Sequence, residues 1–162
     1  MKETCDSNIY DERKYFMKKI TIKEFMVKEL LLPEIFEQQN LKWDIGVDCE
    51  NIERWSKMLP KLLDGPQRRM FTDREHLYCE SFSNPAPHYA GKWCAKEAVV
   101  KAVLSYYEVD LRDVEILNED SGKPYCVIHD PQFELMKPII KVSITHTLDV
   151  AIAFAVAARI ST

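Results

Sequence analysis

From His88 to Tyr107 the chain runs twenty residues with one glycine and no proline, and the pattern predicts one long helix over that span. At about 100° per residue, Ala90, Trp93, Cys94, Glu97, Val100, Lys101 and Leu104 share one arc of it. If that arc faces the core, Glu97 lies on an apolar stripe. A carboxylate there costs several kcal/mol unless it is paired or bound to a cation. Lys101, four residues on, is one available partner. The other is a metal shared with further carboxylates, which would leave Lys101 free for a phosphate. Lys92 and Lys96 lie off the arc and read first as solvated charges.

The elements around this helix follow from local signals. Leu41 to Asp48 alternates, with Leu41, Trp43, Ile45 and Val47 on one side, which predicts a half-buried strand with those residues inward. An amphipathic helix follows, with Ile52, Trp55, Leu59 and Leu62 on its stripe, ending near Gly65-Pro66. Thr72 and Glu75 form a capping box that opens a short helix through Tyr78. Val114–Leu117 and Tyr125–Ile128 flank NEDSGKP and read as a hairpin with Gly122 in its turn. Pro131 to Lys137 reads as a short helical turn. Ile139–Ile144 and Val150–Ala157 read as two further strands, joined by a turn that carries His146. Helices and mainly antiparallel strands in mixed order define an α+β domain over 41–162. Residues 1–40 form a partly helical N-terminal extension, with Ile22, Phe25, Met26, Leu30 and Leu31 at helical spacing before Pro33.

Composition removes several function classes. Four glycines in 162 residues cannot make a Gly-rich phosphate cradle, so side chains, with or without a metal, must grip any nucleotide. The net charge of −4 disfavours general nucleic-acid binding. The longest apolar run, Val150 to Ala158, is far below the ~20 residues of a membrane span. No signal-peptide core opens the chain. The five cysteines have no CxxC spacing and read as free thiols, which points to the cytoplasm.

Three constellations remain as carriers of chemistry. Asp48 and Glu50 close the first strand, and hard oxygens suit magnesium; the plainer reading is a solvated strand end with Glu50 in the first helical turn. Glu97 is the second, either an ion pair with Lys101 or a metal ligand. His146, in KVSITHT between two strands, is the third, and a lone histidine is more often structural. His76, His88 and His129 have no comparable setting and read as surface residues.

Taken together and in order, IGVDCENIER, FTDREHLYC, GKWCAKEAVVKA, SGKP and KVSITHT resemble the 4′-phosphopantetheinyl transferase superfamily, most closely its holo-acyl-carrier-protein synthases. The resemblance spans about residues 43–158. It implies a 4′-phosphopantetheinyl transferase-like fold, an antiparallel sheet packed on the long helix. It implies transfer of phosphopantetheine from coenzyme A to a serine of an acyl carrier protein, releasing adenosine 3′,5′-bisphosphate. By that resemblance Asp48 and Glu97 match magnesium ligands, and Glu97 also matches a general base. Lys101 and Lys96 would hold phosphates, Lys92 and His146 would contact coenzyme A phosphates, and Arg54 would face the carrier. The sites would lie between subunits of a homotrimer, with a monomer as the alternative.

The chain departs from the short synthases in three places. Glu50 makes a D-x-E pattern, as in the larger two-lobed transferases, which implies a third carboxylate at the metal. Val103 to Tyr107 stands where the family has a Gly-rich stretch. Residues 1–40 have no counterpart. A carrier-binding scaffold without transferase activity is the competing class. Which carrier is modified (fatty-acid, polyketide or peptide-synthetase) is open at this level. Charge distribution favours an acidic partner: residues 54–101 carry net +4, against −4 on each flank.

Overall fold

A computed structural model describes residues 41–160; the N-terminal extension expected over 1–40 lies outside them. The elements in chain order are β1 (Leu41–Asn51), α1 (Ile52–Asp64), a 3-10 turn (Pro66–Met70), α2 (Asp73–Glu80) and α3 (Ala86–Val103). The hairpin β2 (Val114–Asn118) and β3 (Pro124–Ile128), α4 (Pro131–Leu135), β4 (Ile139–His146) and β5 (Val150–Ile160) follow. One antiparallel sheet has the order β1-β5-β4, and β2-β3 forms a second, two-stranded sheet. The α+β expectation therefore holds, and each element expected after residue 40 is present.

Local chemistry explains the starts and stops. Asn51 caps α1 by accepting from the Arg54 N–H, and the capping box of Thr72 and Glu75 opens α2. Gly122, at φ +84°, makes the hairpin turn. The long helix begins at Ala86 and ends at Val103, one turn short of Tyr107.

Helix α3 is the centre of the fold, packed against β1, β4 and β5, the β2 hairpin strand, α1 and α2. Its neighbours let it come close because they are small. On β5, Ala151, Ala153, Ala155 and Ala157 are all buried, and their register partners on β1 are Glu50, Asp48, Gly46 and Asp44. A Cβ on Gly46 would stand 1.9 Å from the Ala98 carbonyl oxygen, so glycine here permits strand and helix to touch backbone to backbone.

This contact reverses one expectation. The side of β1 with Gly46 and Asp48 faces α3, and the side with Trp43, Ile45 and Val47 faces away. Val47 is 50% exposed, and Ile152, Phe154 and Ile139 on the same outer face are exposed too. Hydropathy alternation located the strand but not its direction, because small residues line the true inner face. The expected arc of α3 holds at Ala90 and Cys94, which are fully buried, and fails towards its C-terminal end. Leu104 and Lys101 are exposed and Glu97 is partly exposed, whereas Ala95, Ala98, Val99 and Ala102 are sealed.

Candidate functional site

The sheet brings β1 against α3 so that Asp48 meets Lys101. The Lys101 ammonium donates to the Asp48 carboxylate at 2.8 Å and to the Val47 carbonyl at 3.2 Å. That bond, with the negative charges of Asp48 and Glu97, holds the Lys101 pKa above its usual range. The ion pair expected between Glu97 and Lys101 is thus replaced by Lys101–Asp48, and among the described residues no donor is bonded to Glu97. Cys94, one turn before Glu97, donates to the Ala151 carbonyl. Burial, then the neighbouring Asp48, push its thiol pKa well up, so it stays protonated.

Glu50 takes a different part from the one expected. It lies in β1, which continues to Asn51, and not in a helical turn. Its carboxylate accepts from the Arg54 guanidinium at 3.0 and 3.2 Å and from the Trp55 indole at 3.1 Å. Among the described residues no three acidic, histidine or cysteine side chains gather closely enough to cage a metal, so the expected Asp48–Glu50–Glu97 set is not assembled. Magnesium commonly binds one or two carboxylates and completes its shell with water and substrate phosphates. Asp48, bonded to Lys101, and Glu97, whose charge also acts on Lys101, are the two carboxylates here that could serve as such donors.

Lys92 and Lys96 are buried, not solvated. Lys96 is 1% exposed and bonds the Glu75 carboxylate at 2.8 Å and the Val114 carbonyl at 2.6 Å. Glu75 is saturated in turn by the Thr72 and Ile116 N–H groups. Lys96 therefore ties α3 to α2 and the hairpin and cannot reach a phosphate, which corrects its expected role. Lys92 donates to the Ile116 carbonyl at 2.5 Å and to Asn118 at 3.0 Å. Burial lowers its pKa. It borders a cavity of about 180 Å³ whose lining also includes His88, Tyr78, Asn118 and His146. Lys92 and His146, both expected to contact coenzyme A phosphates, line this one cavity.

Of the three histidines read as surface residues, His76 is buried, His129 is exposed as expected while bonding Glu115, and His88 lines this cavity. His76 is buried between the Tyr89 hydroxyl at 2.7 Å and the Arg68 carbonyl at 2.9 Å. His129 bonds the buried Glu115 at 2.9 Å. Burial pushes the Glu115 pKa up, but bonds from Arg74, Thr72 and His129 outweigh it and hold it at about 2. His88 stacks on Phe82. These roles depend on partners far along the chain, which no local pattern displays. The capping box was the one sequence signal that pointed to Glu75.

A family model described as ACPS, the 4′-phosphopantetheinyl transferase superfamily, matches residues 44–155. The chain belongs to this superfamily. By class it is a phosphopantetheinyl transferase, similar to curated holo-[acyl-carrier-protein] synthases. One, from Protochlamydia amoebophila, is 41% identical over 115 residues, covering 69% of this chain and 94% of the relative. Another, from Thermodesulfovibrio yellowstonii, is 35% identical, covering 69% and 95%. Among solved structures, a Bacillus anthracis holo-(acyl-carrier-protein) synthase in complex with CoA (3′,5′-ADP) matches with a TM-score of 0.57 and 29% identity, over 72% of this chain and 96% of that one. The match ends short of residues 1–40, and it includes Asp48, Glu97, Lys101, Lys92 and His146.

Proposed function

We propose that this superfamily member transfers 4′-phosphopantetheine from coenzyme A to a serine of an apo acyl carrier protein. The observation that carries it is the meeting of Asp48 and Lys101 beside Glu97, on elements held together backbone to backbone. The Lys92–His146 cavity supports it as a place for coenzyme A phosphates, and the coenzyme A complex of the Bacillus anthracis relative agrees.

In the transfer, the carrier serine oxygen forms a bond to the phosphorus that bears the pantetheine arm. The bond from that phosphorus to the bridging pyrophosphate oxygen breaks, and adenosine 3′,5′-bisphosphate leaves with the electron pair. The serine proton passes to Glu97, directly or through water. Lys101, half exposed at the end of its Asp48 bond, offers a point charge to the pyrophosphate. Asp48 and Glu97 would hold Mg²⁺, which when bound supplies charge neutralisation and Lewis acidity.

Carrier docking belongs to α1, where Arg54, Lys57 and Lys61 are exposed and Glu50 fixes the Arg54 guanidinium. A basic helix suits an acidic carrier through steering. The apolar outer face of the β1-β5-β4 sheet supports the homotrimer reading, since contiguous exposed apolar surface marks an interface. Among the described residues no helix is long and apolar enough to cross a membrane. The test is incubation with coenzyme A, magnesium and apo carrier, followed by the carrier's mass. A gain of one phosphopantetheine group is expected. A carrier that binds without mass change would support the scaffold alternative and refute transfer.

A further inference from the structure

The lining of the cavity beside Lys92 holds an ammonium and two imidazoles and no carboxylate. That balance is unusual within the same helix. Lys96 and Lys101 each meet a carboxylate, whereas Lys92 meets only the Ile116 carbonyl, the Asn118 amide oxygen and the Tyr78 ring, 4.3 Å from its centroid. A buried ammonium whose hydrogen bonds go to neutral acceptors, with Glu75 and Glu115 acting on it only through space, carries a desolvation cost that an anion in the cavity would offset.

His88 faces this same space from the first turn of α3. Its ring stacks on Phe82 at 3.6 Å and 18°, which fixes its plane. It meets Tyr78 and His146 edge-on, each at 6.0 Å. The groups that face it are Tyr78 from α2, Phe82 from the turn after α2, Lys92 from its own helix and His146 from β4, and none is acidic. Burial, then the charges of His146 and Lys92, lower its pKa. A cationic cavity keeps the imidazole neutral when free, and a dianion reverses the sign of the local field.

We infer that His88 is a specificity residue for a phosphate monoester of the cofactor, completing with Lys92 and His146 a three-cation subsite in this cavity. The inference rests on the coenzyme A reading above. A phosphomonoester dianion answers three converging cations better than the singly charged oxygens of a diester linkage. Binding then protonates His88. Affinity is highest below the free His88 pKa, and falls as pH rises towards the pKa of the bound state.

The test is calorimetric titration of the full chain with coenzyme A and with dephospho-coenzyme A, which keeps the pyrophosphate diester and lacks the monoester. It is run at pH 6 and pH 8, in buffers of different ionisation enthalpy. His88→Phe keeps the stack on Phe82, and His88→Gln keeps a donor without charge. Coenzyme A should bind the wild type more tightly at pH 6, with proton uptake. Both variants should lose about tenfold at pH 6, the equivalent of one pKa unit, together with part of that uptake. Dephospho-coenzyme A should lose little. Variants that bind coenzyme A as the wild type does at pH 6, or that lose dephospho-coenzyme A equally, overturn the inference and leave the cofactor reading intact. A wild type that binds neither compound overturns both.

Discussion

Gly46→Ala tests the contact that positions the site. The added Cβ would lie 1.9 Å from the Ala98 carbonyl oxygen and 2.8 Å from the Ala102 nitrogen, both backbone atoms of α3. Non-bonded carbon contacts relax near ~3.5 Å, so strand and helix must part by more than about 1 Å. No side-chain rotation can absorb that. Overpacking of a core ordinarily costs about 1–3 kcal/mol, and two rigid backbones put this case at or above the upper end. A domain of this size loses roughly 4 °C of Tm per kcal/mol, so a drop of at least ~10 °C is expected. Gly91→Ala is the control, since its Cβ would meet only the Ile144 Cγ2 tip at 2.9 Å, a side-chain atom that can move. It should cost less than about 1 kcal/mol. Thermal unfolding followed by circular dichroism at one protein concentration measures both. A Gly46→Ala protein within about 2 °C of wild type, or one more stable than Gly91→Ala, would refute the close packing of β1 on α3.

Other consequences follow from the same geometry. Lys96→Met leaves Glu75 charged and buried without its cation, so the urea midpoint should fall by the equivalent of about 3–5 kcal/mol. Glu115, at about 2, has a depressed pKa. The stability it contributes is complete above its unfolded pKa, near 4.3, and is lost as pH falls through about 2. Glu115→Gln should therefore flatten the acid limb of the stability curve over that window, and an unchanged limb would count against the network. Light scattering of the full chain should give the mass of three chains. Val47→Lys, on the exposed outer sheet face, should shift that mass towards one chain, and a wild-type monomer would remove the interface reading.

Much of the fold was legible because its signals are local. The Thr72–Glu75 capping box, the Gly122 turn and the alternation after Leu41 each report on a few neighbouring residues, and each element stands where expected. Direction was not legible. Trp43, Ile45 and Val47 look like an inner face by hydropathy, yet the helix packs on Gly46, Asp48 and the β5 alanines, whose small size carries little hydropathic signal. The site divides in the same way. Asp48 meets Lys101, and Lys92 and His146 line one cavity elsewhere along α3. Lys96 reads as solvated until Glu75 and Val114, from two other elements, are placed around it. Glu50 reads as a free carboxylate until Trp55 folds back beneath it. Most of what sequence missed depends on partners from distant elements; Glu50 is the exception, since Arg54 and Trp55 lie four and five residues on.

The most direct measurement is the mass of an apo acyl carrier protein after incubation with this chain, coenzyme A and magnesium, beside the same reaction with Glu97→Gln. The account predicts a gain of one phosphopantetheine group with the wild type and none with the variant. A carrier left unmodified by a wild type that binds coenzyme A, or one modified equally by Glu97→Gln, would contradict it.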